Sequence, residues 1–268
     1  MRLAAVGSRS VIGDVRNNLR TTMSWIEELS DRGADLILFP EMNVSGYTRD
    51  VDVINGLLEE KDSVFRELED VSRGNDPAFA VGFPEREGGC VYISHHLFHG
   101  GKVVGVHRKT HLGPTEREVF SEGERIDVFR VGEMRIGLQL CFETHFPEIS
   151  YIQARQGANV LAMGFASPKE DAGTKLERFK RHLTARAYDN SCFVIACNQE
   201  SVNERGTAFP GLSLAIDPKG MVLGEDAHPG REHVLAECDL ERIASIKRSS
   251  MAWFNRHKRD DLLRRYYG

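Results

Sequence analysis

Ile136-Gly137-Leu138-Gln139-Leu140-Cys141-Phe142-Glu143-Thr144-His145-Phe146-Pro147-Glu148 is an apolar run that closes on a cysteine and leads into a helical segment. The apolar run up to Leu140 indicates a strand, and a helix is expected to start a few residues later, from Pro147. A cysteine at such a strand–turn–helix junction has the logic of a nucleophile elbow without its motif. The turn would expose the sulfur, and backbone amides near the helix N-terminus favour a thiolate or an oxyanion. Taken alone, a cysteine in that place is more often inert than reactive.

Two other segments share the pattern of an apolar strand ending in a charged residue. Leu36-Ile37-Leu38-Phe39-Pro40-Glu41 ends in a carboxylate and is followed by the loop formers Asn43, Ser45 and Gly46. Partial burial there would raise the carboxyl pKa towards the range useful for proton transfer. His107-Arg108-Lys109-Thr110-His111-Leu112 follows another strand, with Glu116 and Glu118 shortly downstream. A lysine kept cationic by a nearby carboxylate can stabilise a developing oxyanion. Singly, such glutamates and basic clusters are usually surface features.

Around these segments the chain reads as strands at 2–8, 35–40, 78–83, 91–98, 103–108, 135–140, 159–165, 191–198, 213–217 and 234–238. Helices are expected at 17–32, where Leu19, Met23, Ile26 and Leu29 recur at three-to-four spacing behind Asp14, and at 59–73, 147–156 and 177–189. The pair 91–98 and 103–108 joins across His99-Gly100-Gly101 with no helix between. This mixture of strand pairs and strand–helix units suits a layered α/β domain better than a doubly wound parallel sheet. With no low-complexity linker and no repeat, residues 1–268 are expected to form one domain.

Composition limits the function classes. The 268 residues are 41% hydrophobic and 28% charged with a net charge of −5, the balance of a globular protein with an acidic surface. That charge argues against general binding to nucleic acid or to an anionic membrane. The basic stretch from Lys247 to Arg265 carries Asp260 and Asp261, which make it a partly ion-paired, solvated segment. The N-terminus turns to glycine and charge too early for a signal peptide, and no apolar stretch is long enough to span a bilayer. Five cysteines, an odd number without a CxxC pair, read as reduced thiols of a cytoplasmic protein. His95 and His99 would share a strand face with His96 on the other, and no acidic or thiol partner stands at zinc-like spacing, so no metal site is expected.

In combination and in this order, the three segments resemble the nitrilase superfamily, or carbon–nitrogen hydrolase family. The resemblance extends over nearly the whole chain. It includes Phe39-Pro40-Glu41 with Ser45-Gly46-Tyr47, Val81-Gly82-Phe83-Pro84-Glu85, and Arg108-Lys109-Thr110-His111-Leu112. It continues through Glu118-Val119-Phe120 with Gly123, Cys141 with Phe146-Pro147-Glu148, and 185–190, then Gly211-Leu212-Ser213 and Asp217-Pro218-Lys219-Gly220. It implies a four-layer αββα sandwich and covalent catalysis through a thioester, with no dissociable cofactor.

In the roles so implied, Glu41 is the general base, Cys141 the nucleophile, and Lys109 with the Phe142 N–H the oxyanion donors. A second glutamate that bonds the lysine or positions substrate is expected at Glu118, which keeps the spacing to Phe120 and Gly123, in preference to Glu116. The sequence departs from the family pattern at Gly7, at Tyr92-Ile93 and at Thr144-His145. The last pair replaces a hydrophobe and an arginine found in many amidases and is expected to help line the pocket. Phe142 in place of a nitrilase tryptophan favours a small linear amide, of amidase or ω-amidase type, over a nitrile, with an N-carbamoyl compound as runner-up. Relatives imply a homo-oligomer, here through 147–156 and 251–267. Two rival readings remain: a Cys–His hydrolase using His107, His111 or His145, and a catalytically idle binding module of the same fold.

Overall fold

The computed structural model describes residues 1–74, 77–203, 206–228, 230 and 233–266. In chain order the first half runs β1 (Arg2–Val6), α1 (Val15–Asp31), β2 (Leu36–Leu38), α2 (Val51–Gly74), β3 (Ala78–Glu87), β4 (Cys90–His99) and β5 (Lys102–Arg108). The second half runs β6 (Val128–Val131), β7 (Met134–Leu140), α3 (Pro147–Arg155), β8 (Val160–Phe165), α4 (Ala172–Asn190) and β9 (Phe193–Asn198). It closes with β10 (Ser201–Val202), β11 (Ala208–Phe209), β12 (Leu212–Ile216), β13 (Val222–Asp226), β14 (His233–Glu237), α5 (Leu240–Arg248) and α6 (Asp260–Leu263).

Two six-stranded sheets form, ordered β14-β1-β2-β3-β4-β5 and β13-β12-β9-β8-β7-β6. In each, three central strands are parallel (β1, β2, β3 and β7, β8, β9) and the outer ones pair antiparallel. The period-two alternation of each central strand explains the layering. Leu3, Ala5, Leu36, Leu38, Ala78 and Ala80 face Val160, Ala162, Phe193, Ile195 and Ala215 of the other sheet. The alternate residues Ala4, Val6, Ile37, Phe39, Phe79 and Val81 turn outward under α1 and α2. Leu161, Met163, Phe165, Val194 and Ala196 do the same beneath α4. The result is the αββα sandwich. Many of the residues between the sheets are small, which lets the sheets approach. The bulk lies under the helices, where Phe79 and Phe98 stack at 5.3 Å. Each such buried ring contributes about 1.5–3 kcal/mol.

The strand and helix expectations hold for every long element. Helix α2 begins at Val51, eight residues before the expected start, because Asp50 caps it by accepting from the N–H groups of Asp52 and Val53. The edge strands β6 and β13 and helix α5 were not expected. β13 is largely exposed and carries little alternation to read. Phe254 packs on Tyr188, and Asn255 donates to Asn190, so the C-terminal segment is anchored on its own chain. Tyr267 of the expected oligomer contact lies outside the described residues. Among the described residues no helix is long and apolar enough to cross a membrane. All five cysteines are unpaired.

His95 and His96 sit fully buried in β4. Among the described residues, both ring nitrogens of His96 lack a hydrogen-bond partner. Burial lowers the pKa of His95 to about 4 and that of His96 to about 3. An unfolded chain protonates these rings near pH 6.5. Stability is therefore complete above that pH and is lost as pH falls through the folded values. Thermal midpoints measured from pH 7 to 4 are expected to fall less steeply in His96→Leu than in the wild type. Parallel curves would show that His96 does not contribute.

Candidate active site

Glu41, Lys109 and Cys141 each lie just past the C-terminal end of a strand, respectively β2, β5 and β7, the end where open α/β sheets place their ligands. The loop carrying Glu41 is held closely. Asn43 accepts from the Gly82 N–H at 2.8 Å and donates to Thr22 at 3.0 Å, while His95 bonds the Pro40 carbonyl at 3.2 Å. A Cβ at Gly82 would stand 2.1 Å from the Met42 nitrogen, so that position requires glycine.

The three side chains converge. Lys109 is 1% exposed, and its Nζ donates to Glu41 Oε1 and to Glu116 Oε1, both at 2.8 Å. The other Glu41 oxygen accepts from the Ala166 N–H at 3.1 Å, just after β8, and the same amide faces the Cys141 sulfur. Burial raises the Glu41 pKa to about 7, with Lys109 pulling it down and Glu116 pushing it up. Burial alone would lower that of Lys109, but Glu41, Cys141 and Glu116 carry it above the usual lysine range. Burial and the Glu41 charge push the Cys141 thiol up to about 12, against the pull of Lys109. The resting site is thus a thiol, a lysinium and a glutamate poised near neutrality.

Cys141 opens a 3-10 turn, Cys141–His145, with φ of +41°. A non-glycine residue in that region costs about 1–3 kcal/mol and persists only where its surroundings impose it. The elbow expected from the sequence is therefore present, and Phe142 follows on the same turn. A cleft of about 590 Å³ opens over the group, lined by Tyr47, Lys109, Glu116, Cys141, Phe142 and Phe209 among others. A larger open groove, about 1050 Å³ beside Met1 and Cys238, contains none of these residues.

Three sequence expectations need correction. The partner of Lys109 is Glu116, not Glu118. Glu116 also accepts from the Tyr47 hydroxyl at 2.6 Å and from the Gly113 N–H at 2.6 Å, which folds it back under the lysine. Glu118, two residues along the same turn, stays exposed at the cleft rim. Thr144 and His145 do not line the cleft. Thr144 Oγ1 donates to the Cys141 carbonyl at 2.8 Å and meets His182 of α4, on whose ring His145 stacks at 4.9 Å. The histidines of the Cys–His reading are engaged elsewhere: His107 with Glu143, His111 with Thr110 and Phe146, His145 with His182.

Sequence reasoning missed Tyr47, Ala166 and Glu143 as parts of the site. Tyr47 stood within a matched motif, and Ala166 at a strand end, but neither side chain announces its role. Glu143 had no signal at all.

The fold and this constellation define a hydrolase with a cysteine nucleophile. The carbon–nitrogen hydrolase family model matches residues 2–248, and the chain belongs to that family. It is 30% identical over 236 residues to an (R)-stereoselective amidase from a Pseudomonas species, covering 88% of this chain and 84% of the relative. It is also 30% identical over 244 residues to the 2-oxoglutaramate amidase of Bacillus subtilis, covering 88% and 90%. Among solved structures it aligns with an alanine-for-cysteine variant of the amidase from Nesterenkonia sp. AN1 in complex with butyramide. The TM-score is 0.84 and the identity 25%, over 99% of this chain and 97% of that one.

Substitution separates the two glutamates. Glu116→Gln is expected to lower kcat/KM by about 100-fold or more, because Lys109 loses a buried counter-charge. Glu118→Gln should stay within about threefold, as for an exposed rim residue. Steady-state kinetics on the fastest amide substrate check this, and the reverse ranking would restore Glu118.

Proposed function

We propose that this enzyme hydrolyses small linear amides at Cys141, releasing ammonia and a carboxylic acid. The observation that carries this reading is the buried Glu41–Lys109–Glu116 array set against a cysteine on a strained turn at the floor of one cleft. An idle binding module would have no use for a buried lysine held by two carboxylates beside a thiol.

The chemistry follows from the charges. The Cys141 thiol is too weak an acid to ionise alone, so it attacks as Glu41 takes its proton. A C–S bond forms at the amide carbon, and the carbonyl electron pair moves to oxygen. Lys109 Nζ and the Phe142 N–H stabilise that oxyanion. The C–N bond breaks as Glu41 returns the proton to the departing nitrogen, leaving a thioester. Glu41 then takes a proton from water as the water attacks the thioester, and the C–S bond breaks as Glu41 passes that proton to the leaving sulfur, which releases the carboxylic acid and restores the thiol. The lysine serves through its charge and keeps its proton throughout.

The cleft has room for more than the smallest amides and carries apolar walls at Phe142 and Phe209. We place the enzyme among amidases for that reason and for the amidase names of its relatives. A homo-oligomer formed through α3 and the C-terminal segment is part of the same proposal, supported by exposed Ile152 on α3 and exposed Met251, Leu262 and Tyr266 in the C-terminal segment. Light scattering on the purified protein tests it, and a monomer at working concentration would sink that part. A single unit spanning 1–268 and residence in the cytoplasm complete the reading.

Ammonia release from a panel of simple amides, ω-amides, N-carbamoyl compounds and nitriles tests the substrate class beside Cys141→Ala. Release from an amide by the wild type alone is the expected result. A preference for N-carbamoyl compounds or nitriles would move the enzyme to another branch, and an active Cys141→Ala would overturn the mechanism. Since Glu41 must be ionised to accept the thiol proton, kcat/KM should fall about tenfold per pH unit below an inflection near neutrality. An acid limb with its inflection in the range of an exposed glutamate would remove Glu41 from the role of base.

A further inference from the structure

Glu143 is fully buried two residues beyond the nucleophile, and none of the steps above uses it. Its carboxylate is saturated by donors from two directions. Oε1 accepts from the Thr110 N–H at 2.7 Å and the Thr110 hydroxyl at 2.5 Å. Oε2 accepts from His107 Nε2 at 2.8 Å and from the Leu140 N–H at 2.6 Å. Thr110 directly follows Lys109, and His107 precedes it by two residues, at the end of β5. Leu140 directly precedes Cys141, at the end of β7. One buried carboxylate therefore ties the lysine-bearing end of one sheet to the cysteine-bearing end of the other.

We infer that Glu143 is a positioning residue that fixes the spacing between Lys109 and the Cys141–Phe142 turn, so that the two oxyanion donors remain matched to one oxygen. The inference rests on the mechanism given above. Both donors arise from segments that Glu143 holds, and they belong to different sheets. The turn itself is strained at Cys141, so it relaxes when its anchor is removed. A shift of about 1 Å in a reacting group costs on the order of 100-fold in rate. A glutamine at this position presents an N–H group where one oxygen accepts two donors, so it cannot satisfy all four. His107 serves as a donor here, a part that a glutamine amide can also play.

The test uses p-nitrophenyl acetate as an acylating probe, so it does not depend on which amide is the natural substrate. In the full chain, the burst amplitude counts competent Cys141 sites and the burst rate reports acylation, with Cys141→Ala as the blank. Glu143→Gln is expected to keep a stoichiometric burst while its saturating rate falls about 30- to 100-fold, with the half-saturating probe concentration within about threefold. His107→Leu should slow acylation about tenfold, and His107→Gln should recover most of that loss. The His107 pair carries the test alone if Glu143→Gln does not fold. An unchanged rate in Glu143→Gln, a rate that falls only in step with amplitude, or His107→Gln no better than His107→Leu would each overturn the inference. A normal wild-type burst without ammonia release from any amide would instead count against the substrate reading and leave this one standing.

Discussion

A lysine ammonium with almost no solvent contact lies between two carboxylates, and the rest of the site depends on that arrangement. Removing an ion from water costs several kcal/mol even after relaxation, and only close partners with good geometry offset it. Lys109 has two, Glu41 and Glu116, each at 2.8 Å. Their combined charge keeps it protonated despite burial. Glu41 shares the lysine and the Ala166 amide yet remains hard to ionise, because it is buried and faces a second carboxylate. A base near neutrality and a permanent cation thus result from one electrostatic arrangement.

That arrangement sets demands on the scaffold. Glu41 and Lys109 come from one sheet and Cys141 and Ala166 from the other, so the site exists only while the two sheets keep their spacing. The small side chains between the sheets, Ala5, Ala78, Ala80, Ala162 and Ala215, set how closely they approach. At the active-site end, buried polar bonds take over from apolar packing. Glu143 joins the two strand ends, and Asn43, Thr22 and His95 hold the Glu41 loop. The buried charge is tolerated because the two carboxylates that hold it are themselves paired, Glu41 with the Ala166 amide and Glu116 with Tyr47 and the Gly113 amide. The unpaired His96, farther along β4, is tolerated only as a neutral ring.

The strand-end placement of the three central residues was legible because each follows an apolar run, whereas their selection as one set rested on the resemblance to the carbon–nitrogen hydrolases. Strands β2, β8 and β9 are buried on both faces, as their unbroken apolar runs require. Helices α1, α3 and α4 could be read from apolar spacing, whereas β6, β13 and α5 were missed because short or exposed elements carry little pattern. Glu116 and Glu118 illustrate the limit. They stand two apart on one irregular turn, and the choice between them depends on which one the Gly113 amide and the Tyr47 hydroxyl draw inward. Thr144 and His145 were misplaced for a related reason: the 3-10 turn rotates them away from the cleft and onto α4.

The sequence by itself determined the layered strand-and-helix order and the strand-end placement of Glu41, Lys109 and Cys141, since local periodicity and residue chemistry fix these. Only the tertiary structure decided which glutamate neutralises the lysine, that Glu143 is buried as a tie between the sheets, and that Cys141 adopts a strained turn. Those properties depend on contacts between residues up to 125 apart in sequence, such as Glu41 with Ala166. No local pattern encodes such a pairing, because its free energy arises only when the second sheet has excluded water from the first.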